Sequence, residues 1–381
     1  MGDDERVLVN HFYAQPVGHA IEALHRALGH HAADPERRRV SVALNAATPV
    51  ELGALCRFVE ETYAIEHPFV ETAAPEVSDR ALAGIPSEWD WVVDDGRRHH
   101  QLQRELFPGF ASYYAASDVH LRPRIDRSVA GSERAGYRSG ERLRLDVPDD
   151  GRRHLGGART ALAIMPAGSS PAAWYPSAAS WNAILDALHA ALPGVRLVLV
   201  GRTAQDERTA TSIARRDLDA LVRHPAHPID AFDLALVEQL SLVQGCGAFL
   251  SPHTGFGMAA LAVGTPWLAL SGGRWFEWYF NPGVPFRSIV PDTRRFAAYS
   301  QFAEPATTAD EDGARTPSMT RARIEADIPR IIAAAQELLD GRLTYEQAMA
   351  DYVRDLVAAH DGDPSGLWSF ENAHYAWLPA S

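Results

Sequence analysis

Residues 249–273, FLSPHTGFGMAALAVGTPWLALSGG, contain the pattern that decides the fold class. An apolar run, a turn, a run of small residues and a second apolar run follow one another, which predicts strand, helix and strand. Thr254 is a suitable N-cap, and a Gly-Thr-Pro break ends the helix. Gly255 and Gly257 leave the first helical turn open, so its amides could hold an anion such as a diphosphate. The alternative is that these glycines only let the helix pack closely on the sheet.

The same stretch formally matches a dinucleotide fingerprint, with Gly255, Gly257 and Ala260 at the required spacing. That fingerprint needs an acidic residue just after the following strand. Here the strand runs into residues 271–273, Ser-Gly-Gly, and Glu277 lies too far beyond it. Phosphate binding or simple packing is therefore favoured over a dinucleotide site.

Composition sets the general class of protein. The 381 residues are 46% hydrophobic and 22% charged, which is typical of a globular chain long enough for two domains. A net charge of −13 argues against general binding to nucleic acid or to an anionic membrane. An acidic N-terminus leads directly into a strand, and no apolar run is long enough for a membrane span. With only Cys56 and Cys246, far apart, we expect reduced thiols in a cytoplasmic protein.

The chain contains no lysine, because all 36 basic residues are arginines. A P-loop lysine, a Schiff-base lysine for pyridoxal phosphate and a Tyr-x-x-x-Lys pair are thereby excluded. Many common enzyme classes are excluded with them.

Outside this stretch the sequence alternates between strand and helix patterns, which predicts an α/β protein with parallel sheets covered on both faces. Strands are predicted over residues 7–10, 40–44, 65–70, 89–93, 161–165 and 195–200. Helices are predicted over residues 18–29, 48–63, 177–191, 206–216, 230–244, 321–339 and 344–359, with residues 101–114 helical in part. Residues 303–316 have the composition of a mobile loop, and Asp230 is the predicted cap of its helix.

Residues 122–159 are rich in Arg, Gly, Ser and Asp and poor in apolar runs. This composition favours an exposed surface that leads into an interdomain linker near residues 149–151. The alternative is that Arg122, Arg124 or Arg127 line an acceptor pocket.

Two segments of the C-terminal half resemble motifs of the heptosyltransferase family. Residues 252–266 are similar to its nucleotide-sugar motif, Asp-Ser-Gly-Pro-Met-His-x-Ala-x-Ala-x-Gly-Thr-Pro, with His253 where the family has Asp and Met258 where it has His. Residues 165–185, MPAGSSPAAWYPSAASWNAIL, are similar to its His-Pro-Gly-x-Ser and Lys-x-Trp-Pro segment. Tyr175 keeps the aromatic ring of that segment, and Ala173 replaces its basic residue.

A third segment resembles another family with the same fold. Residues 16–31, PVGHAIEALHRALGHH, are similar to the N-terminal Gly-His segment of natural-product glycosyltransferases. Both families imply the GT-B fold: two facing Rossmann-like domains with parallel sheets, and C-terminal helices that cross back. The implied domains are residues 1–150 for the acceptor, residues 151–320 for the nucleotide sugar, and residues 321–381 as helices and tail packing back on the N-terminal domain.

The resemblance implies a glycosyltransferase that moves a sugar from a nucleoside-diphosphate donor to a hydroxyl of a small-molecule acceptor, either a natural product or a glycan. It implies no bound metal and no permanently bound cofactor, since the nucleotide sugar is a co-substrate. A homodimer is left open. The alternatives are a sugar-nucleotide epimerase or hydrolase on the same fold, and an inactive protein that only binds nucleotide sugar.

The sites follow from positions after predicted strands. His19, at a strand-loop-helix junction, is the predicted general base, because a neutral imidazole accepts a proton near pH 7; the alternative is that it only hydrogen-bonds the loop. Asp94, Asp95 or Asp118 would hold its tautomer. The predicted acceptor residues are His11, Gly18, Asp95 and His120. The predicted donor residues are Gly168, Ser169, Ser170, Arg202, His227, His253, Thr254, Gly255, Phe256 and Gly257. The aromatic run at residues 275–280 either lines the cleft or fills the core between the domains.

Overall fold

The structure is a computed structural model, and it describes residues 6–13, 16–130, 135–158, 160–204, 210–273, 281–299, 306–367 and 372–378. The chain forms two compact units, which divide between Asp146 and Val147. That division lies close to the boundary predicted at residues 150–151. The roles assigned to the domains stay predictions.

The first unit contains a five-stranded sheet in which every pairing is parallel. Its strands, in chain order, are β1 (Val7–His11), β2 (Val40–Asn45), β3 (Val59–Ile65), β4 (Glu88–Trp89), β5 (Trp91–Asp94), β6 (Arg122–Pro123) and β7 (Ser128–Val129). The sheet order is β3-β2-β1-β5-β7, and β4 pairs with β6 apart from it. The helices are α1 (Val17–Ala33), α2 (Pro75–Leu82), α3 (Gln101–Leu106) and α4 (Gly109–His120).

One face of this sheet carries a core cluster that is rich in aromatic rings. Phe12, directly after β1, is fully buried and stacks on Tyr113 of α4 with ring centroids 4.2 Å apart. Phe69 and Phe110 pack around the same ring. Because these rings fix the chain where β1 ends, the loop that leads into α1 begins from a rigid point.

The second unit repeats the arrangement with six parallel strands. Its strands are β8 (Ala161–Ile164), β9 (Arg196–Gly201), β10 (Ile229–Phe232), β11 (Ala248–Pro252), β12 (Trp267–Leu270) and β13 (Phe286–Ile289), followed by a hairpin of β14 (Thr308–Asp310) and β15 (Gly313–Arg315). The order β10-β9-β8-β11-β12-β13 is the 3-2-1-4-5-6 order of a doubly wound sheet. Its helices are α5 (Ala178–Ala191), α6 (Arg215–Val222), α7 (Leu236–Gln244), α8 (Gly255–Ala262), α9 (Arg321–Leu339) and α10 (Tyr345–Ala359).

Several elements confirm the sequence predictions. The strand-helix-strand pattern of residues 249–273 is β11, α8 and β12. Ser177 caps α5 by accepting a hydrogen bond from the Ser180 amide, and Thr344 and Gln347 form a capping box on α10. At these three places, local sequence signals are sufficient to predict the secondary structure.

The helix predicted over residues 48–63 is wrong. The cap signal starts only a short 3-10 turn, Val50–Leu55, and residues 59–65 form β3, so the strand predicted over 65–70 is misplaced as well. The Val-Glu-Glu-Thr-Tyr-Ala-Ile segment pairs with β2 along its length, and this long-range pairing overrides the local signal.

Two predicted helices of the second unit also need correction. Asp230 is not a cap, because it lies within β10 and pairs with Leu199 of β9, and α7 begins only at Leu236. Residues 210–214 are not helical, and α6 begins at Arg215. Of the loop predicted over residues 303–316, the described part contains the β14–β15 hairpin.

Helix α1 runs past Gly29, where the sequence predicts its end. A Cβ atom at Gly29 would lie 2.1 Å from the Tyr137 ring, so this glycine allows a close approach and does not cap the helix.

The C-terminal helices pack on the sheet of the second unit. Helix α9 contacts β11, β12 and β13, and α10 contacts β13. Arg287 of β13 joins both helices, with ion pairs of 2.7 Å to Glu337 and 2.8 Å to Asp351. Packing of these helices on the first domain stays a prediction. Among the described residues, no helix combines the length and the apolarity that a bilayer span requires.

Candidate functional site

In a doubly wound sheet, ligands bind outside the carboxyl ends of the strands, where the strand order reverses. In the second unit this point lies between β8 and β11. Residues 165–170 follow β8, and residues 253–255 follow β11. A Cβ atom placed on Gly168 would lie 3.1 Å from Cγ2 of Thr254. The two loops predicted to hold the donor are therefore neighbours, as the sequence predicts.

The N-terminus of α8 is built around its cap. Thr254 Oγ1 accepts a hydrogen bond of 3.2 Å from the Gly257 amide, and it lies 3.3 Å from Ser251 Oγ. Ser251 in turn accepts a 3.0 Å bond from Nε1 of Trp267. Since the Gly257 amide already has a partner, the amides of Gly255 and Phe256 are the ones that the cap leaves for a ligand.

The two glycines of α8 have different environments. Gly257 is buried, and a Cβ atom there would lie 2.3 Å from the Trp267 ring. Packing is therefore the role of Gly257, the alternative that the sequence left open. Gly255 and His253 are partly exposed, while Phe256 is buried and lies 5.5 Å, between centroids, from the ring of Phe249.

The loop after β8 is held by several hydrogen bonds. The Ser170 amide donates a 3.0 Å bond to the hydroxyl of Tyr175, and a Cβ atom at Gly168 would lie 2.7 Å from the same hydroxyl. The Gly168 carbonyl accepts a 2.7 Å bond from the Ser212 amide. Ser169 at the tip is exposed. Of the three predicted loop residues, Ser169 is the exposed one, and its amide takes part in none of these bonds.

Arg202 and His227 lie at opposite ends of the sheet. Arg202 directly follows β9, and its backbone is fixed to Thr211 by bonds of 2.9 and 2.7 Å. His227 precedes β10, with its φ at 48°, so it lies at the amino end of that parallel strand. This position corrects the prediction that His227 borders the nucleotide base, because the donor loops lie at the carboxyl ends.

The residue that follows β10 at the carboxyl edge is Asp233. It accepts hydrogen bonds of 2.6 Å from the Thr203 amide and 3.1 Å from the Ala204 amide, and so fixes the chain after Arg202. Burial alone would raise the pKa of Asp233, but the hydrogen bonds from Thr203 and Ala204 bring it below its usual value.

In the first unit the strand order reverses between β1 and β5. Their carboxyl ends bring together His11, Asp94 and the adjacent Asp95, three of the predicted residues. Asn10 Nδ2 donates a 2.8 Å bond to Asp94, and its Oδ1 accepts a 2.5 Å bond from Tyr113. Both strand ends are thus joined by buried polar side chains.

Asp94 and Asp118 belong to an arginine network. Asp94 is fully buried and accepts bonds of 2.9 and 2.7 Å from Arg127, and it is also paired with Arg98. Asp118 lies 2.7 Å from Arg98 and 3.2 Å from Arg127. The prediction that Asp94 or Asp118 orients His19 is corrected, because the contacts of these carboxylates are with the two arginines and, for Asp94, with Asn10. Arg127 therefore has an internal partner and does not line a pocket as a lone charge.

A second ion-pair cluster surrounds Arg97. Arg97 lies 2.6 Å from Glu22 of α1 and 3.1 Å from Asp95, and its guanidinium stacks 4.2 Å from the centroid of the Tyr13 ring. Burial alone would lower the pKa of Arg97, but Glu22 and Asp95 raise it above the ordinary value. For Asp95, burial acts to raise the pKa, and Arg97 and His11 bring it below the usual value. Both groups are therefore charged at neutral pH.

His11 and His19 lie beside this cluster. Among the described residues, His11 Nε2 and His19 Nδ1 are buried without a hydrogen-bond partner. The His19 and Tyr13 rings lie 4.4 Å apart between centroids. Burial lowers the pKa of both histidines, Arg97 lowers that of His19 further, and Asp95 opposes the shift in each. Both imidazoles are neutral at pH 7, and each keeps one buried ring nitrogen without a hydrogen-bond partner.

Gly18 and His120 complete the predicted set. Gly18 is buried in the first turn of α1, next to His19. His120 Nε2 is bound to the Ile85 carbonyl, 2.8 Å away, on the segment that enters β4 and β5. His120 therefore lies away from the carboxyl ends of β1 and β5, and its prediction as an acceptor residue is corrected.

Sequence reasoning missed Glu22, Arg97, Tyr175 and Asp233. Two of these had a signal: Arg97 follows the strand-end pair Asp94-Asp95, and Glu22 is three residues after His19 on the same helix. The aromatic run at residues 275–280 lies outside the described residues. Within the described part of the chain, no group of three or more His, Cys, Asp and Glu residues is placed to hold a metal ion.

Comparisons with known proteins agree with the fold. No protein family and no curated protein matches the sequence. Among solved structures, the chain is similar to a family 9 glycosyl transferase from Veillonella parvula, with a TM-score of 0.57 and 14% identity over 89% of this chain and 98% of the other. It is also similar to the E. coli ADP-heptose lipopolysaccharide heptosyltransferase II, with a TM-score of 0.51 and 13% identity over 87% of this chain and 99% of the other. These likenesses confirm the GT-B fold predicted from the heptosyltransferase-like motifs. The resemblance to natural-product enzymes stays a prediction.

Proposed function

We propose that this protein is a glycosyltransferase that uses a nucleoside-diphosphate sugar. One observation carries the proposal. The loop after β8 and the capped N-terminus of α8 meet where the strand order of the second sheet reverses, and a Cβ atom at residue 168 would lie 3.1 Å from Cγ2 of Thr254. In this fold that point is where a nucleotide is expected. The two similar structures are both described as glycosyltransferases, which supports the proposal.

The donor diphosphate would rest on backbone groups. The amides of Gly255 and Phe256 and the positive end of the α8 dipole would hold the diphosphate together with Ser169, whose neighbour Gly168 lies beside the cap of α8. A nucleoside diphosphate carries two to three negative charges, and amides held rigidly by a cap stabilise such charge without reorganisation. Arg202, after β9, would meet the phosphate or the ribose.

The acceptor would bind at the carboxyl edge of the first sheet, with His19 as general base. A neutral imidazole with an unpartnered nitrogen can accept the proton of an acceptor hydroxyl. His11 offers a second such nitrogen, which can hold the same hydroxyl or its neighbour. Glu22 and Asp95 keep Arg97 in place beside these rings.

The charges at this edge favour an uncharged acceptor. Arg97 is paired with Glu22 and Asp95, while Arg98 and Arg127 are paired with Asp94 and Asp118. An anionic acceptor would have to compete with one of these part-buried pairs, which opposes its binding. A neutral hydroxyl compound, such as a glycan or a natural product, would bind without that competition.

Melting of the full chain with ADP, GDP, UDP and TDP tests the donor site. A specific nucleotide at a hundred times its Kd stabilises the protein by about 2.7 kcal/mol. If none of the four raises Tm, the donor assignment is wrong.

Incubation of the protein with the matching nucleotide sugar then tests the reaction. A transferase leaves most of the donor intact until an acceptor is added. Release of free sugar or of an isomerised nucleotide without an acceptor would instead identify a hydrolase or an epimerase.

A further inference from the structure

The hydroxyl of Tyr175 is a hydrogen-bond acceptor for the loop that follows β8. It accepts a 3.0 Å bond from the Ser170 amide, and it lies close to Gly168, where a Cβ atom would be 2.7 Å from it. Tyr175 is 5% exposed. A buried phenol that accepts one backbone amide of a loop and packs against a second loop residue restrains the path of that loop.

The rest of the loop is fastened from other directions. Its first residue, Met165, donates from its amide to the Leu250 carbonyl of β11, 3.0 Å away. The Pro166 carbonyl accepts a 2.9 Å bond from Nε1 of Trp181 on α5, and the Gly168 carbonyl accepts from Ser212. Ser170 is bonded to the Tyr175 hydroxyl and Gly168 packs against it, and Ser169 between them is exposed at the tip of the loop.

Gly168 shows how closely the hydroxyl fits. A Cβ atom at this position would lie 2.7 Å from the Tyr175 oxygen and 3.1 Å from Cγ2 of Thr254. Gly168 therefore fills the space between the phenol and the cap of α8. Any change in the position of the hydroxyl moves the loop relative to the N-terminus of α8.

We propose that Tyr175 is a positioning residue of the donor site, whose hydroxyl holds the loop of residues 168–170 so that the Ser169 amide faces the nucleotide diphosphate beside α8; this rests on the function proposed above. Sequence similarity had matched Tyr175 only as an aromatic ring, at a place where the resembled segment has Trp. An indole has no acceptor oxygen, so this way of holding the loop depends on the tyrosine hydroxyl.

Tyr175→Phe removes only the hydroxyl and leaves the buried ring. In the protein without ligand, hydrogen exchange of the Ser170 amide, followed in a peptide covering residues 165–176, should become at least about tenfold faster, because this amide loses its acceptor. The nucleoside diphosphate that binds the wild type should bind at least about tenfold more weakly. Tyr175→Trp should behave in the same way.

Tyr114→Phe is the matched control. Tyr114 is equally buried and its hydroxyl donates to the Asn10 carbonyl, 3.3 Å away, in the first unit. The variant Tyr114→Phe should lose about as much stability as Tyr175→Phe and should keep wild-type nucleotide affinity. A merely structural role of Tyr175 would give the two variants the same nucleotide Kd, and that result would overturn the proposal.

The experiments distinguish a failure of the proposed function from a failure of the role assigned to Tyr175. If the wild type binds none of the diphosphates, the proposed function fails, and the inference about Tyr175 fails with it. If the wild type binds one of them and Tyr175→Phe binds it equally well, only the role of Tyr175 is wrong. Unchanged exchange at residues 165–176 in Tyr175→Phe would contradict the hydrogen bond itself.

Discussion

Gly257→Ala tests whether packing or ligand access explains the second glycine of α8. Alanine is about 1 kcal/mol better than glycine inside a helix, so the substitution would stabilise the protein if the space were free. The structure places the new Cβ 2.3 Å from the Trp267 ring, whereas ordinary contact begins near 3.4 Å. The ring or the helix would have to move by about 1 Å. Such overpacking costs about 1–3 kcal/mol, and after the helix gain we expect a net loss of about 1 kcal/mol.

The ring cannot give way cheaply, because Trp267 is 1% exposed and its Nε1 is bonded to Ser251. The stability should be measured by hydrogen exchange across a urea series, on peptides from residues 248–270. A global melt is less suitable, since a chain of two units need not unfold in one step. Stabilisation by Gly257→Ala, or no change, would refute the argument.

A double-mutant cycle with Trp267→Phe identifies the overlapping partner. The smaller ring withdraws the indole atoms that the new methyl group would meet. The double variant should therefore lose at least about 1 kcal/mol less than the two single losses added together. Strict additivity would show that the loss in Gly257→Ala arises elsewhere.

Three further predictions concern the histidines and the helix cap. Burial lowers the pKa of His30 to about 4, and protonation therefore favours the unfolded chain. The contribution of neutral His30 to the free energy of unfolding should be fully present above about pH 6.5 and should fall by about 2 kcal/mol at pH 5. His30→Gln should remove this pH-dependent loss, as urea titrations at the two pH values would show. Thr254→Ala should cost about 0.5–2 kcal/mol and weaken nucleotide binding, whereas Thr254→Ser should preserve both, as melting with and without nucleotide would show. His19→Ala should lower kcat by ~10²–10⁴ and leave the nucleotide Kd unchanged; wild-type kcat would exclude His19 as the base and make His11 the next residue to test.

The second sheet was predictable where several local signals coincide. Between residues 249 and 273 an apolar strand, a capping threonine and a Gly-Thr-Pro break all favour one outcome, and β11, α8 and β12 follow. At residues 48–63 a strong cap signal stood alone. There the pairing of β3 with β2 decided the structure, and no local sequence pattern identifies a partner strand.

The positions of the candidate site residues were predictable from the sequence, whereas their interaction partners were less so. His11, Asp94, Asp95, Gly168 and Thr254 all lie at strand ends, as expected of doubly wound sheets. Their partners come from distant parts of the chain, since Arg97 meets Glu22 across 75 residues. An ion pair of this kind depends on the tertiary fold, and a single sequence does not specify it.

The two strand-end sites differ in the chemistry that builds them, and the absence of lysine explains why. With no lysine, arginine is the side chain that supplies permanent positive charge to an anion in this protein, and backbone amides can also hold one. At the edge of the first sheet, Arg97, Arg98 and Arg127 are each committed to carboxylates, so this edge offers two neutral imidazoles instead of free positive charge. At the edge of the second sheet, the cap bonds the Gly257 amide and leaves those of Gly255 and Phe256 at a helix N-terminus, where negative charge is favoured. This charge balance supports our proposal that the second unit binds the phosphorylated substrate and the first unit the uncharged, hydroxyl-bearing one.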